Sequence, residues 1–250
     1  MPTVRVGDID VYYEIHGEGP PLVFIGGLGV DLATLAPFTD LLARNFRVLT
    51  FDNRGAGRTD KPDAPYSIPM MAEDTVGLMD ALGLPRAHLV GVSMGGRIAM
   101  ELAAEHPARV DRLVLISTAA AGTGRLRMSL PARALGLAKR LHLLRGVREV
   151  QRQPHYAYQH QLAASTAYDG TERLDAIVAS TLILHGQRDR SMKPAAALAT
   201  RVGIRDSEIE FFRGGHMFFL LTQRDAVAAR IDDFLLDWRD RRWPSSLAQI

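Results

Sequence analysis

Ala87-His88-Leu89-Val90-Gly91-Val92-Ser93-Met94-Gly95-Gly96 decides how this chain is read. An apolar run of strand character (87–92) meets a helical pattern (94–106) at a serine flanked by glycines, Gly91-Val92-Ser93-Met94-Gly95. A serine on so sharp a strand-to-helix turn needs strained backbone angles, and flanking glycines remove the side chains that would clash. The turn lifts the hydroxyl clear of the sheet and sets a helix N-terminus beneath it. With 22 glycines and ten serines in 250 residues, chance alone gives about 0.08 occurrences of Gly-x-Ser-x-Gly. The pattern by itself is therefore modest evidence, and its strand-before, helix-after setting carries the weight.

Outward from the serine, strand and helix patterns alternate. Val110 to Ile116 reads as the next strand. Upstream, residues 3–6 and 9–15 form a hairpin about Gly7-Asp8, and Leu22-Val23-Phe24-Ile25 is an interior strand ended by Gly26-Gly27. Leucines 32, 35, 41 and 42 place a helix at 31–43, a strand covers 46–51, and a helix at 70–82 is closed by Gly83. Downstream come a strand at 181–184, a helix at 194–202, a strand at 209–212 and a helix at 224–238. Strands that are apolar throughout bury both faces, and their alternation with helices predicts an α/β fold with a mostly parallel sheet of about eight strands.

One stretch breaks the alternation. Residues 121–175 lack strand character and carry nine Arg or Lys against four acids among repeated leucines. They are expected to form a small helical lid, an insertion into a core made of 1–120 and 176–250. The basic excess is consistent with solvated helix faces and also with an anionic substrate. The last residues, from Arg239 on, read as a frayed tail.

Composition bounds the function. The formal charge is +2, from 30 basic and 28 acidic residues, without the clustered excess of a nucleic-acid binder. No cysteine is present, which excludes thiol nucleophiles and thiolate metal sites. Neither a leader pattern nor an apolar run of about 18 residues is visible, so a cytoplasmic protein without membrane association is expected.

A neutral serine needs a base within hydrogen-bond reach. Of eight histidines, His216 is best placed, in Arg213-Gly214-Gly215-His216 after a predicted strand. His106 reads as a helix cap and His185 as a strand-end residue with a structural role. The base needs a carboxylate to fix its tautomer, and Asp189 follows a strand in His185-Gly186-Gln187-Arg188-Asp189; the competing role is a surface ion pair with Arg188 or Arg190. Backbone N–H groups of Met94 and of Leu28, in Gly26-Gly27-Leu28-Gly29, are the expected oxyanion donors. Gly27, Phe218 and Phe219 are candidate substrate contacts, with core packing the competing role for the phenylalanines. No metal-ligand motif or nucleotide loop is found, so neither metal nor cofactor is expected.

Taken together these residues resemble the α/β-hydrolase superfamily over nearly the whole chain. Asp52-Asn53-Arg54-Gly55-Ala56-Gly57-Arg58-Thr59-Asp60 resembles its Asp-x-Arg-Gly-x-Gly-x-Ser-Asp loop, 185–189 its acid loop and 214–216 its histidine loop. The oxyanion loop departs from the usual His-Gly by starting Gly26-Gly27, and Ala56 stands where a His is common. A non-His oxyanion loop with a short lid is similar to the β-ketoadipate enol-lactone hydrolases. The resemblance implies a cofactor-free serine hydrolase acting on a small-molecule ester or lactone. A C–C bond hydrolase, a perhydrolase and a non-hydrolytic ligand-binding scaffold are the alternatives; the oligomeric state is not readable from the sequence.

Overall fold

The computed structural model describes residues 2–121 and 153–236. Eight strands form one sheet: β1 (Thr3–Val6), β2 (Ile9–His16), β3 (Pro21–Ile25), β4 (Arg47–Phe51), β5 (Ala87–Val92), β6 (Val110–Ile116), β7 (Ser180–Gly186) and β8 (Ser207–Phe212), in the order β1-β2-β4-β3-β5-β6-β7-β8. The first two pairings are antiparallel and the remaining ones parallel. Between them run α1 (Leu32–Leu42), α2 (Ile68–Ala81), α3 (Met94–Glu105), α4 (His155–Ala167), α5 (Pro194–Gly203), α6 (Phe218–Thr222) and α7 (Arg224–Leu235).

The apolar strands divide their side chains between two cores because successive residues point to opposite faces. Val23 and Ile25 of β3, Leu89 of β5 and Ile183 of β7 join Met71 and Leu78 of α2 and Ile98 and Leu102 of α3. Leu22, Phe24, Val90, Val92, Leu182 and Leu184 join Phe38 and Leu42 of α1 and Ile231 and Phe234 of α7. Two helical layers thus enclose the sheet, and both faces of β3, β5 and β7 are dry.

Most boundaries fall where expected. Helix α2 starts two residues earlier than its apolar spacing predicts, because Ser67 accepts a bond from Met70 N–H and Pro69 sits in the first turn. It ends as expected at Gly83 (φ +65°), where Gly83 N–H reaches Asp80 O (3.0 Å) and Leu84 N–H reaches Met79 O (2.8 Å). Of the stretch 121–175, residues 122–152 lie outside the described residues, as does the predicted tail. The described remainder contains α4 and a 3₁₀ turn at Thr171–Ala176.

Candidate active site

The predicted elbow forms where β5 meets α3. Ser93 has φ 55° and ψ −114°, a region that side chains seldom occupy. Its N–H donates to Ile116 O (2.8 Å), which ties the turn to β6. The flanking glycines are required by contact. A Cβ on Gly95 would lie 2.1 Å from Ile25 O, and one on Gly91 2.5 Å from Gly95 O. Ser93 makes no capping bond with its side chain, so its hydroxyl is free to face the loops beyond the strands. The first N–H groups of α3, Met94 among them, have no partner within the helix.

Those loops bring the other two predicted residues to the serine. Ser93 Oγ is 2.9 Å from His216 Nε2, and His216 Nδ1 is 2.7 Å from Asp189 Oδ2. The carboxylate can only accept, so Nδ1–H is the donor, which leaves the Nε2 lone pair facing the Ser93 hydroxyl. Asp189 is only 3% exposed. Its other oxygen accepts from Ser191 N–H (2.8 Å) and Met192 N–H (2.9 Å), so the predicted competing role, a surface ion pair, is not what it forms. Gln187 N–H bonds Phe212 O (2.9 Å) and Arg188 N–H bonds Gly214 O (2.8 Å), lacing the acid loop to the histidine loop.

His185 is wholly buried. Its Nε2 donates to Met192 O (2.9 Å) and lies 3.5 Å from Asp189 Oδ2. Burial pushes this imidazole below its ordinary range, so it stays neutral near pH 7. It supports the acid loop, the structural role expected for it. His106 is the C-cap residue of α3, and its ring bonds Glu73 (2.7 Å).

Gly27 lies against the elbow, where a Cβ would come 3.4 Å from Ser93 Cβ. Leu28 and Gly29 (φ +68°) form the corner of a turn closed by Val30 N–H to Gly27 O (3.3 Å). The two phenylalanines part company. Phe219 is fully buried and stacks on Phe212 (centroids 5.4 Å apart, 12° between planes), so it packs the core and does not line a pocket. Phe218 is 49% exposed beside Gly214. Among the insertion's basic residues, only Arg173 is described; it pairs with Glu101 (2.9 Å) and Glu105 of α3.

Sequence reasoning missed three residues at this site. Ser117, with φ 49°, donates from Oγ to His216 O and from N–H to Leu184 O (2.9 Å). Gln161 of α4 reaches the loop after β3. Arg97, 1% exposed, extends from α3 to Ala119 O (3.2 Å) and to Ser165 of α4. None has a local sequence signature, since each acts on main chain far away in sequence. Among the described residues no group of three or more His, Cys, Asp or Glu is placed to hold a metal ion. No helix among them is long and apolar enough to cross a membrane.

A strand–serine–helix elbow in a sheet of this order, with acid and histidine loops following β7 and β8, defines the α/β-hydrolase class. A family model described as alpha/beta hydrolase fold matches residues 20–164, and the chain belongs to that family. It is 31% identical over 253 residues to "Putative carbamate hydrolase RutD" of Azorhizobium caulinodans, covering 89% of this chain and 94% of that one. It is 29% identical to a poly(3-hydroxyalkanoate) depolymerase of Ectopseudomonas oleovorans, covering 88% and 86%. The enol-lactonase of Burkholderia xenovorans LB400 superposes with a TM-score of 0.82 at 28% identity, over 94% of this chain and 99% of the other. The chain is thus a hydrolase of the α/β family.

Proposed function

We propose that this hydrolase cleaves a carboxylic ester or lactone of a small molecule through an acyl-enzyme on Ser93, with residues 121–175 serving as a helical lid. The reading rests above all on the unbroken hydrogen-bonded line Ser93 Oγ–His216–Asp189, 2.9 Å and 2.7 Å long, at the strained elbow. His216 Nε2 takes the Ser93 proton as Oγ attacks the carbonyl carbon, and Asp189 stabilises the imidazolium. The carbonyl oxygen becomes an alkoxide held by the N–H groups of Leu28 and Met94. His216 then gives the proton to the leaving alkoxide. Water, deprotonated by the same imidazole, attacks the acyl carbon, and Ser93 Oγ leaves with the proton restored. Loss of one oxyanion donor typically costs about 100- to 1,000-fold in rate. The names of the relatives accord with this chemistry, since lactone, polyester and carbamate cleavage all begin at an acyl carbonyl.

The 31% identical relative named for carbamate hydrolysis favours a second reading, in which Ser93 attacks a carbamate carbonyl, the alcohol leaves, and water frees a carbamic acid from Ser93 that breaks down to amine and carbon dioxide. Purified protein and a Ser93→Ala variant separate the cases when assayed with p-nitrophenyl butyrate, small lactones and a p-nitrophenyl carbamate, and labelled with a fluorophosphonate. Turnover and labelling that vanish together in Ser93→Ala are expected. Equal inertness of both proteins toward every reagent would remove the serine-hydrolase reading.

A further inference from the structure

Helix α4 buries an unusual stripe. Its buried residues are Ala157, Gln161, Ala164 and Ser165, so the face turned inward is small and polar, without the leucines that normally seat a helix. Gln161 is 0% exposed. A buried amide must find partners for its donors and acceptor, and Gln161 finds them on main chain of two catalytic-edge loops. Its Oε1 accepts from Gly29 N–H (3.0 Å), and its Nε2 donates to Arg54 O (2.7 Å). Gln153, just before α4, adds Nε2 bonds to the same Oε1 (3.0 Å) and to Gly55 O (2.8 Å).

Gly29 is the corner of the turn that carries Leu28. Its φ of +68° and its N–H direction are held by Gln161 from one side, and Tyr158 covers it closely enough that a Cβ would meet the ring at 3.1 Å. From the other side Asn53 Nδ2 bonds Gly26 O (2.9 Å). The serine, histidine and acid are held chiefly by β5, β6, β7, β8 and the loops that follow them, with Arg97 the link from α3 to Ser165 of α4 and to Met192 Sδ (3.6 Å). The loop after β3 is fixed in part by α4.

From this division we infer that Gln161 is a positioning residue: by holding Gly29 N–H it aims the Leu28 N–H at the oxyanion, so that seating of α4 completes the oxyanion hole. The inference rests on the acyl-transfer reading of Ser93. Donors must be in place before charge develops, and a misplacement of about 1 Å costs on the order of 100-fold. Loss of the brace therefore lowers the rate of acyl transfer while leaving ground-state binding nearly unchanged.

The test uses the full chain with Gln161→Leu, which keeps bulk and removes all three side-chain bonds, and Gln161→Glu, which keeps an acceptor for Gly29 N–H. Active sites are counted with a fluorophosphonate, so rates are expressed per competent site even in a partly folded preparation. Kinetics with p-nitrophenyl butyrate are compared with inhibition by a trifluoromethyl ketone, which places an alkoxide in the hole. For Gln161→Leu a fall in kcat of about 10- to 100-fold is expected, with KM within about threefold and the ketone weakened by the same factor as kcat/KM. Partial recovery is expected in Gln161→Glu. If kcat per labelled site and ketone affinity stay within twofold in both variants, whatever their melting temperatures, Gln161 is merely structural and the inference falls alone. If the wild type neither labels nor turns over, the acyl-transfer reading falls and takes the inference with it.

Discussion

The strain at Ser93 is measurable apart from any chemistry. Its φ of 55° with ψ of −114° costs a residue with a Cβ about 1–3 kcal/mol. Ser93→Ala keeps the Cβ and therefore the strain. Ser93→Gly removes the Cβ and relieves it, but glycine also gains freedom in the unfolded chain, which costs about 0.5–1 kcal/mol. The net expectation is that the Gly variant is more stable than the Ala variant by about 1 kcal/mol, or roughly 2–4 °C for a chain of this size.

Both variants lack the hydroxyl, so the comparison cancels its hydrogen bond to His216. Urea denaturation followed by far-ultraviolet circular dichroism, with calorimetry beside it, reads the difference. A control sits at Ala199, an exposed position in the interior of α5, where Ala→Gly should lose about 1 kcal/mol. The sign should therefore invert between the two sites. A Gly variant at 93 that is no more stable than the Ala variant, with the control behaving as stated, would refute the claim that the elbow holds strain.

Two further expectations concern buried charge. Arg54 is 5% exposed and bridges Asp74 (2.7 and 2.8 Å) to Asp8 (2.7 and 3.0 Å), the aspartate side chains being 11% and 67% exposed. Asp74→Ala should cost about 3 kcal/mol by stripping a buried guanidinium of its buried partner, whereas Asp8→Ala should cost less than about 1 kcal/mol because its carboxylate is solvated; equal losses in urea melts would contradict this. His88, buried in β5 and 3.4 Å from Asp111, is pushed down to about 4 by burial. Because its folded pKa lies below the unfolded 6.5, the unfolded chain binds the proton first, and stability present above pH 6.5 is lost as pH falls toward 4. At pH 5 this amounts to about 2 kcal/mol, so His88→Leu should shrink the pH 7-to-5 stability drop by about that much. His185 shifts the same way and persists in the variant, so a residual slope is expected; an unchanged slope would count against the assignment.

How much could be read before the fold was seen follows from where each pattern is stored. Strands β3, β5 and β7 are legible because burial on both faces demands consecutive apolar residues, and α2's end because only a residue comfortable at positive φ fits at Gly83. Ser93, His216 and Asp189 are legible because each follows a strand at the same sheet edge in a short glycine-bearing loop. Gln161 and Arg97 are not. Each reads locally as an ordinary polar residue on a helix, and its burial is set by backbone carbonyls and amides tens of residues away. Phe219 is ambiguous for the converse reason: an aromatic beside the histidine suits either pocket or core, and only the stacking on Phe212 decides.

The strain at the elbow and the polar face of α4 answer different physical needs. Ser93 is held against its conformational preference by the sheet: β6 takes its N–H, and Gly91 and Gly95 are clamped between neighbouring backbones. That support is main chain of neighbouring strands and of the helix itself. Gly29 has no such backbone clamp close by: the three nearest atoms that a Cβ there would meet belong to the side chains of Tyr158 and Gln153. The loop's geometry is set in part by hydrogen bonds from α4, which are directional and local, beside the bond from Asn53 Nδ2 to Gly26 O. Ser93 and the proposed Leu28 donor thus rest on largely different supports, linked through Arg97 of α3, which bonds Ser165 of α4. A change confined to α4 should alter how well the charge of the transition state is held while the Ser93–His216 bond stays as it is.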